Sequence, residues 1–403
     1  MARILIVSSG SPCRNPRPVK EAAALGRAGH DVTLLTVAES AAYEAQERAL
    51  VAGAPYRHEV VDRNVGAGTA FWRRLRRKLA VQATVRGWES LHALGHAGSL
   101  YERALAHGAD LTIVHNEIPH WIGCRLLDAG RRVAADFEDW HSEDLLPEAR
   151  AHRPLRLMRG IERRLLHEAA YVSTTSEALS AALAASHDCT PPHVLTNSFP
   201  LQPDPHRGPP GEPPALFWFS QTIGPGRGLE EFLSAWRETR APSRLVLLGN
   251  LIPGYDAQLL ALLPAAWRSR IALRPLVSPQ ELPGVIAAHD LGLALEHSEP
   301  ANKNLTISNK ILQYLNAGIG VIASDTAGQH EVLARFPAAG RLIRLDRTRD
   351  IAATLDALLA GRGALAALGA AARQAAESHY CWEREEPRLV GWVDAALAKP
   401  PAA

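Results

Sequence analysis

Residues 200–214 read PLQPDPHRGPPGEPP, with seven prolines and two glycines. Proline lacks a backbone N–H and fixes φ, so this stretch supplies neither a central strand nor a helix interior. It reads as a stiff linker, and the chain must fold separately on either side of it. Its 403 residues suit two or three domains at about 150 residues each. Before the linker, short apolar runs alternate with longer stretches of helical period. The runs are Arg3–Ser8, Val32–Thr36, His58–Asp62, Leu111–His115, Val133–Phe137, Tyr171–Thr175 and Val194–Asn197. After it the pattern restarts with Leu216–Ser220, Leu245–Gly249, Ile271–Val277, Leu291–Leu295, Gly320–Ser324 and Leu342–Leu345, and beyond residue 350 only helical period remains. Runs without polar alternation, separated by helices, predict parallel strands covered on both faces. The expected fold class is α/β, two doubly wound Rossmann-like domains, 1–199 and 215–379, joined by the linker. Ligands of such sheets sit beyond the carboxyl ends of the strands, and two domains place a natural site in the cleft between them.

Composition removes several alternatives. Lys+Arg 44 against Asp+Glu 42 gives +2, which excludes a uniformly basic nucleic-acid binder but not a local basic patch. Cys13, Cys124, Cys189 and Cys381 are far apart in sequence, so there is no CxxC and no zinc ribbon; they read as reduced thiols of a cytosolic protein. No apolar run approaches the roughly eighteen residues of a membrane span. Met1–Ser9 carries four apolar residues, Ile4–Val7, before Ser-Ser-Gly, which reads as a buried strand entering a loop and not as a signal peptide.

The richest stretch for chemistry is 296–331, EHSEPANKNLTISNKILQYLNAGIGVIASDTAGQHE. Ser308 is a suitable N-cap, Ile311, Leu312 and Leu315 form an apolar stripe, and Gly318 ends the helix. Lys310, one of only five lysines, then lies in the first turn. Its charge opposes the helix dipole unless an anion is near, and a helix N-terminus with a lysine suits a phosphate. Gln313 shares its face and could bond a sugar hydroxyl. The alternative is a surface Lys and Gln on an ordinary helix.

Four other segments stand out. Phe217–Phe232, FWFSQTIGPGRGLEEF, is a strand, a glycine-rich loop and a helix. Its backbone N–H groups and Arg227 could hold a phosphate, although the spacing is not the dinucleotide fingerprint and a plain strand–helix turn is as good a reading. Ser8–Glu21 carries Gly10, Arg14 and Arg17 before a helix, either an anion site or an exposed Pro/Arg loop. His115 follows one strand, and Glu138, Asp139 and His141 follow another, the positions at which parallel sheets carry site residues; with no HExxH or DxD spacing, no metal is expected. Glu143 and Asp144 read as helix N-terminal acids. Finally, FWRRLRRKLAVQATVRGW at 71–88 places five basic side chains within 73–78. It is either a basic amphipathic helix for an anionic lipid surface or a solvated helix packing Phe71, Leu75 and Leu79 on the sheet.

These segments together resemble a GT-B glycosyltransferase of the retaining, nucleotide-sugar-dependent kind (family 4 type). RNPRPVKEAAALGRAGHDVTLLT is similar to that family's first loop, helix and second strand. DLTIVHNEIPHWIG and AADFEDWHSEDLLPE resemble its paired strand-end segments, and VLTNSFPL its entry to the linker. SQTIGPGRGLEEFLSAW resembles its donor loop. SNKILQYLNAGIGVIASDTAGQHEVL, the most specific match, resembles its donor helix and next strand. HYCWEREE resembles the segment before a helix, about 380–398, that crosses back to the first domain. The resemblance implies a hexosyltransferase-type enzyme (EC 2.4), metal-independent, without a bound cofactor. A nucleotide-diphosphate sugar would be its co-substrate, and a glycan, a lipid-linked carbohydrate or a small molecule its acceptor. It implies a cytoplasmic place, peripheral at the inner membrane face if 71–88 binds lipid, and a role in polysaccharide biosynthesis.

By position, Arg227 and Lys310 would hold the donor diphosphate, Gln313 would face the ribose, and Asn304 would lie near the donor sugar. Gln221, Gly226, Ser308, Asn309 and Glu331 would complete the donor side, with Gly10 approaching the phosphates from the first domain. Glu138 stands where many members have a His near the transferred sugar, with His141 nearby. Arg14, Arg17, His115 and His141 would face the acceptor. Three positions depart from the family: Leu305 and Gln313 replace a pair of glutamates, and Gln221 replaces an arginine. The departures keep two other readings in view, a nucleotide-sugar epimerase of the same fold and a non-catalytic sugar-nucleotide-binding partner.

Overall fold

A computed structural model describes residues 1–38, 44–63, 65–203 and 213–399. Most of the proline-rich linker, 204–212, lies outside the described residues. The chain divides into two compact units, one of residues 1–175, 179–195 and 386–403, the other of 176–178 and 196–385.

The first unit is a seven-stranded parallel sheet. Its strands are β1 Arg3–Ser8, β2 Asp31–Val37, β3 Arg57–Val61, β4 Leu111–His115, β5 Val133–Phe137, β6 Val172–Thr174 and β7 His193–Val194, in the order β3-β2-β1-β4-β5-β6-β7. The second holds β8 Ala215–Ile223, β9 Arg244–Leu251, β10 Ile271–Arg274, β11 Leu291–Ala294, β12 Gly320–Ser324 and β13 Gly340–Ile343, in the order β10-β9-β8-β11-β12-β13. Central strands are buried on both faces: β4, β5 and β12 have no exposed residue, whereas the edge strand β10 is mostly exposed. That explains the unbroken apolar runs. The fold class expected from the sequence, two doubly wound α/β sheets, is the one observed.

Within the second unit, side-chain alternation builds a core on each face of the sheet. Leu216, Trp218, Leu245 and Leu247 pack with Phe232, Trp236 and Leu355 on one side. Phe217, Val246 and Leu248 pack with Ile311, Leu312, Tyr314 and Leu315 on the other. The helical stripe anticipated around Lys310 is therefore the inner face of the helix Asn309–Asn316. Two strands differ from their expected spans for local reasons. β10 stops before Pro275, which has no N–H to give a ladder. β8 runs on past Ser220 because its register shifts between Phe219 and Thr222, and such a bulge re-aims the side chains at a strand end.

The last helix, Trp382–Ala398, holds Pro387, and its residues from Glu386 on belong to the first unit. There Glu386 pairs with Arg27 at 2.6 Å and Trp392 stacks on His193 at 4.6 Å. No single helix among the described residues is long and apolar enough to cross a membrane; one bent pair, Thr348–Leu359 with Arg362–Ser378, passes that test by length and composition alone. Its Ile351, Leu355, Leu365 and Leu368 are in the second unit's core.

One glycine sets how close two segments of the second unit come. A Cβ on Gly328, in the helix Ala327–Arg335, would lie 2.2 Å from the Thr306 carbonyl oxygen, in the segment that leads to Ser308. Gly328→Ala must displace that backbone. It should destabilise the protein by about 1–3 kcal/mol, measured by urea unfolding.

Candidate functional site

Each sheet has one place where the strand order reverses, and loops leaving the two flanking strands part there. In the second unit this place lies between β8 and β11. The loop after β8 holds Gly226 and Gly228, both at positive φ (73° and 72°). A Cβ on Gly228 would be 3.1 Å from the Leu295 Cβ and 3.0 Å from a Leu345 methyl, so the loop lies against the residue that follows β11. Arg227, between the two glycines, is half-buried, and among the described residues nothing hydrogen-bonds or ion-pairs with its guanidinium. Gln221 is exposed near the end of β8, within the register shift.

On the β11 side, Ser308 caps the helix Asn309–Asn316, its hydroxyl accepting from the Lys310 N–H. Lys310 is 8% exposed and its ammonium donates to Glu296 at 2.6 Å. The same cation lies 5.8 Å from the Trp218 ring centre, within cation–π range. Ser308 Oγ also donates to Glu296, at 3.3 Å. The Glu296 backbone is held by Ser324, whose hydroxyl accepts from its N–H and donates to its C=O. Burial raises the Glu296 carboxyl, but Lys310 outweighs it and the net shift is downward. Glu296 thus answers the question of what offsets a lysine at a helix N-terminus. Sequence reasoning misses it, although it stands just past a strand, the position that picks out Glu138.

The remaining donor-side residues are spread around this centre. Gln313 is half-buried, one turn along from Lys310. The Asn304 side-chain oxygen accepts from the Ala327 N–H at 3.1 Å and the Asn309 one from Asn197 at 3.1 Å. Glu331 accepts from the backbone N–H groups of Glu177 and Ala178; burial pushes its carboxyl up to about 7.

In the first unit the reversal lies between β1 and β4. Gly10 follows β1, and a Cβ there would meet nothing within 4 Å. Arg14 is exposed in the following turn. Arg17 and His115, expected to face an acceptor, are instead fully buried. The Arg17 guanidinium bonds both Asp136 oxygens, at 2.8 and 2.6 Å, and the Leu195 carbonyl at 2.8 Å, and pairs with Glu21 at 3.5 Å. His115 lies 3.1 Å from Glu21 and 3.5 Å from Asp136. Burial opposes its charge, yet the Glu21 and Asp136 carboxylates raise its pKa to about 10. The group holds two cations and two anions and ties the helix Pro16–Arg27 to β4 and β5. Glu21, His115 and Asp136 also converge as metal ligands would, but Arg17 already supplies the cation to both carboxylates.

The segment after β5 and the helix Glu117–Asp128 carry further titratable groups beside this network. Burial, then the Asp139 charge, pushes Glu138 up to about 7. Burial lowers His141. His120 is driven down to about 3, first by burial and then by His141, and its neutral ring bonds the Asp136 carbonyl at 2.9 Å. Buried Glu162 accepts from the Trp140 indole, the Ser142 N–H and the Ser142 hydroxyl, at 3.3, 3.0 and 2.7 Å, which pins the backbone on either side of His141. Glu143 lies in the short 3-10 helix His141–Glu143 and pairs with Arg150 and Arg159, so it also braces the helices that follow. A cavity of about 500 Å³ opens on the other half of the sheet, its walls including Ser9, Val37, Asp62, Arg73, Arg74 and Ile118. It sits off the carboxyl ends of β1, β2 and β3.

Comparison with known proteins fits this geometry. Residues 227–386 match the family described as Glycosyl transferase-like. No curated protein matches the chain. Among solved structures, sucrose-phosphate synthase from Thermosynechococcus elongatus superposes with a TM-score of 0.73 at 14% identity, over 99% of this chain and 100% of that one. Anabaena HepE in complex with UDP-glucose gives 0.70 at 16% identity, over 98% and 100%. A mutant of S. aureus TarM, in complex with Fondaparinux, alpha-GlcNAc-glycerol and UDP, gives 0.70 at 10% identity, over 99% and 100%. At such identities the likeness establishes the fold: the chain is a GT-B protein, and its second unit carries a glycosyl transferase-like sequence.

Two outcomes test the buried network. Arg17→Met leaves two buried carboxylates with His115 as their one cation and should cost about 3–5 kcal/mol in chemical denaturation. Because the folded pKa of His115 is raised, its contribution to stability is complete below its unfolded value of about 6.5 and is lost as pH rises through about 10. Unfolding free energy should therefore fall across that window, and His115→Gln should flatten the fall.

Proposed function

We propose that this GT-B chain transfers a sugar from a nucleotide-diphosphate donor to a glycan, lipid-linked or small-molecule acceptor, with retention of anomeric configuration. The observation that carries the reading is the reversal point of the second sheet, where the glycine-rich loop of Arg227 lies against Leu295 and Lys310, at a helix N-terminus, bonds the adjacent Glu296. Two cations there suit a diphosphate. HepE structures contain UDP-glucose or UDP and TarM contains UDP, so a UDP-hexose is the first donor to test. In the proposed reaction the bond from the anomeric carbon to the diphosphate breaks. The acceptor oxygen bonds to the same face of that carbon, and its proton passes to the departing phosphate oxygen. Arg227 and Lys310 stabilise the charge that develops on the leaving group. Glu296 fixes the Lys310 ammonium through their 2.6 Å bond. Gln313 is assigned to the ribose, and Glu138, whose carboxyl lies near 7, to a hydroxyl of the transferred sugar. The donor is assigned to the second unit, and the acceptor to the cavity at the strand ends of the first.

Leu305 and Gln313 stand where related enzymes carry carboxylates, and they favour one other reading, a protein that binds the nucleotide sugar without turnover. Titration calorimetry with UDP and UDP-glucose separates binding from chemistry. Arg227→Ala should weaken UDP by about 10–100-fold, the worth of a charged hydrogen bond, with an unchanged melting temperature. Unaltered UDP affinity in Arg227→Ala, and in Lys310→Ala if it stays folded, would remove the site assignment. Binding with no transfer to any acceptor and no donor hydrolysis would favour the non-catalytic reading. Glu138→Gln should lower kcat for transfer while leaving UDP affinity within about twofold, since a substitution remote from the nucleotide is near-additive with it.

A further inference from the structure

The basic stretch singled out in the sequence folds as the helix Ala67–Val85, and it faces the opposite way from a packed surface helix. Of its side chains only Thr84 is buried. The apolar stripe, which the second of the two readings packs on the sheet, points outward: Phe71 is 56% exposed, Trp72 66% and Leu79 62%, with Leu75 half-buried among them and Trp88 just beyond the helix at 78%. At 100° per residue, Phe71, Leu75, Leu79 and Trp72 span one sector of the helix, and Arg74, Lys78 and Arg86 border the same sector. Arg76, Arg77 and Lys78 are exposed, while Arg73 is spent on Asp62 at 2.8 Å. No acidic residue occurs anywhere in 67–88. An exposed aromatic and aliphatic sector set among cations with no ion-pair partner among the described residues is unlike a solvated helix, which mixes both signs, and no nucleic-acid recognition module accompanies it.

We infer that the helix Ala67–Val85 and Trp88 form a docking surface for an anionic lipid bilayer, with Phe71, Trp72, Leu79 and Trp88 entering the interface and the cations meeting the headgroups. The charge complementarity commits the patch to anionic lipid: such helices bind by buried apolar area together with attraction to anionic headgroups. The same helix supplies Arg73 and Arg74 to the wall of the first unit's cavity, so docking would bring that cavity to the membrane surface. The inference does not depend on the transferase reading, and it is tested without nucleotide.

The full chain is mixed with vesicles of phosphatidylcholine alone and of phosphatidylcholine with phosphatidylglycerol, and binding is read by flotation and by Trp fluorescence. Wild type should bind only the anionic vesicles, less at high salt, with a blue shift from Trp72 and Trp88. R76Q/R77Q/K78Q/R86Q should lose at least about 100-fold in partitioning. F71S/W72S/L79S should lose the blue shift and bind more weakly. All seven positions are outside the core, so both variants should keep the wild-type melting temperature, and the outcome is read on folded protein. Failure of wild type to bind anionic vesicles, or equal binding by the charge variant, would overturn the inference. So would a dimer in size exclusion that F71S/W72S/L79S dissolves, because the patch would then belong to a second copy of the chain.

Discussion

Covering a parallel sheet on both faces leaves its strands no polar side. Ile4–Val7 in β1 and the whole of β4, β5 and β12 are buried, so the ionisable groups that approach the sheets do so at strand ends or from the helices that follow. This single constraint organises the molecule. It makes the strands legible as apolar runs, it collects chemistry at one edge of each sheet, and it leaves an opening only where the strand order reverses. In one unit the loop of Arg227 and the helix of Lys310 follow the two strands at that point, and in the other Gly10 and the cavity lie near it.

The two units use buried charge in different ways. In the first, Arg17, Glu21, His115 and Asp136 neutralise one another in the interior, and little of their charge is left for a ligand. Their worth is in position, because they tie the first helix to the ends of β4 and β5, from which Glu138 and His141 then project. In the second, Lys310 has one carboxylate partner, Glu296, and Arg227 has none among the described residues. A cation whose partner is a single fixed carboxylate keeps N–H directions for another anion. Burial pushes both Glu162 and Glu138 up to about 7, so a raised pKa does not separate them; Glu162 holds three donors and braces the segment around His141.

The helix Ala67–Val85 shows how periodicity can be right and its direction still open. Phe71, Leu75 and Leu79 do share a face, as their spacing requires. That face is turned away from the sheet because the inner side is met by small or polar groups, Thr84 and the Asp62-bound Arg73. The result is an apolar sector rimmed by cations on a protein that also has an open strand-end cavity on the other flank of that helix.

Strand number, the parallel class, the helix cap at Ser308 and the glycine-rich turn that sets Arg227 between Gly226 and Gly228 are all local properties. Hydrophobic period, proline and capping residues act within a few positions, so the sequence alone determined them, and the motif around Lys310 carried the resemblance to its family. What only the tertiary structure decided were pairings between residues far apart in the chain. Arg17 meets Asp136, 119 positions away, and Lys310 meets Glu296 across a whole loop. An arginine in a Pro/Arg loop looks the same in sequence whether its guanidinium meets solvent or a buried carboxylate. Desolvation and charge pairing depend on what lies on neighbouring elements, and no local pattern records that.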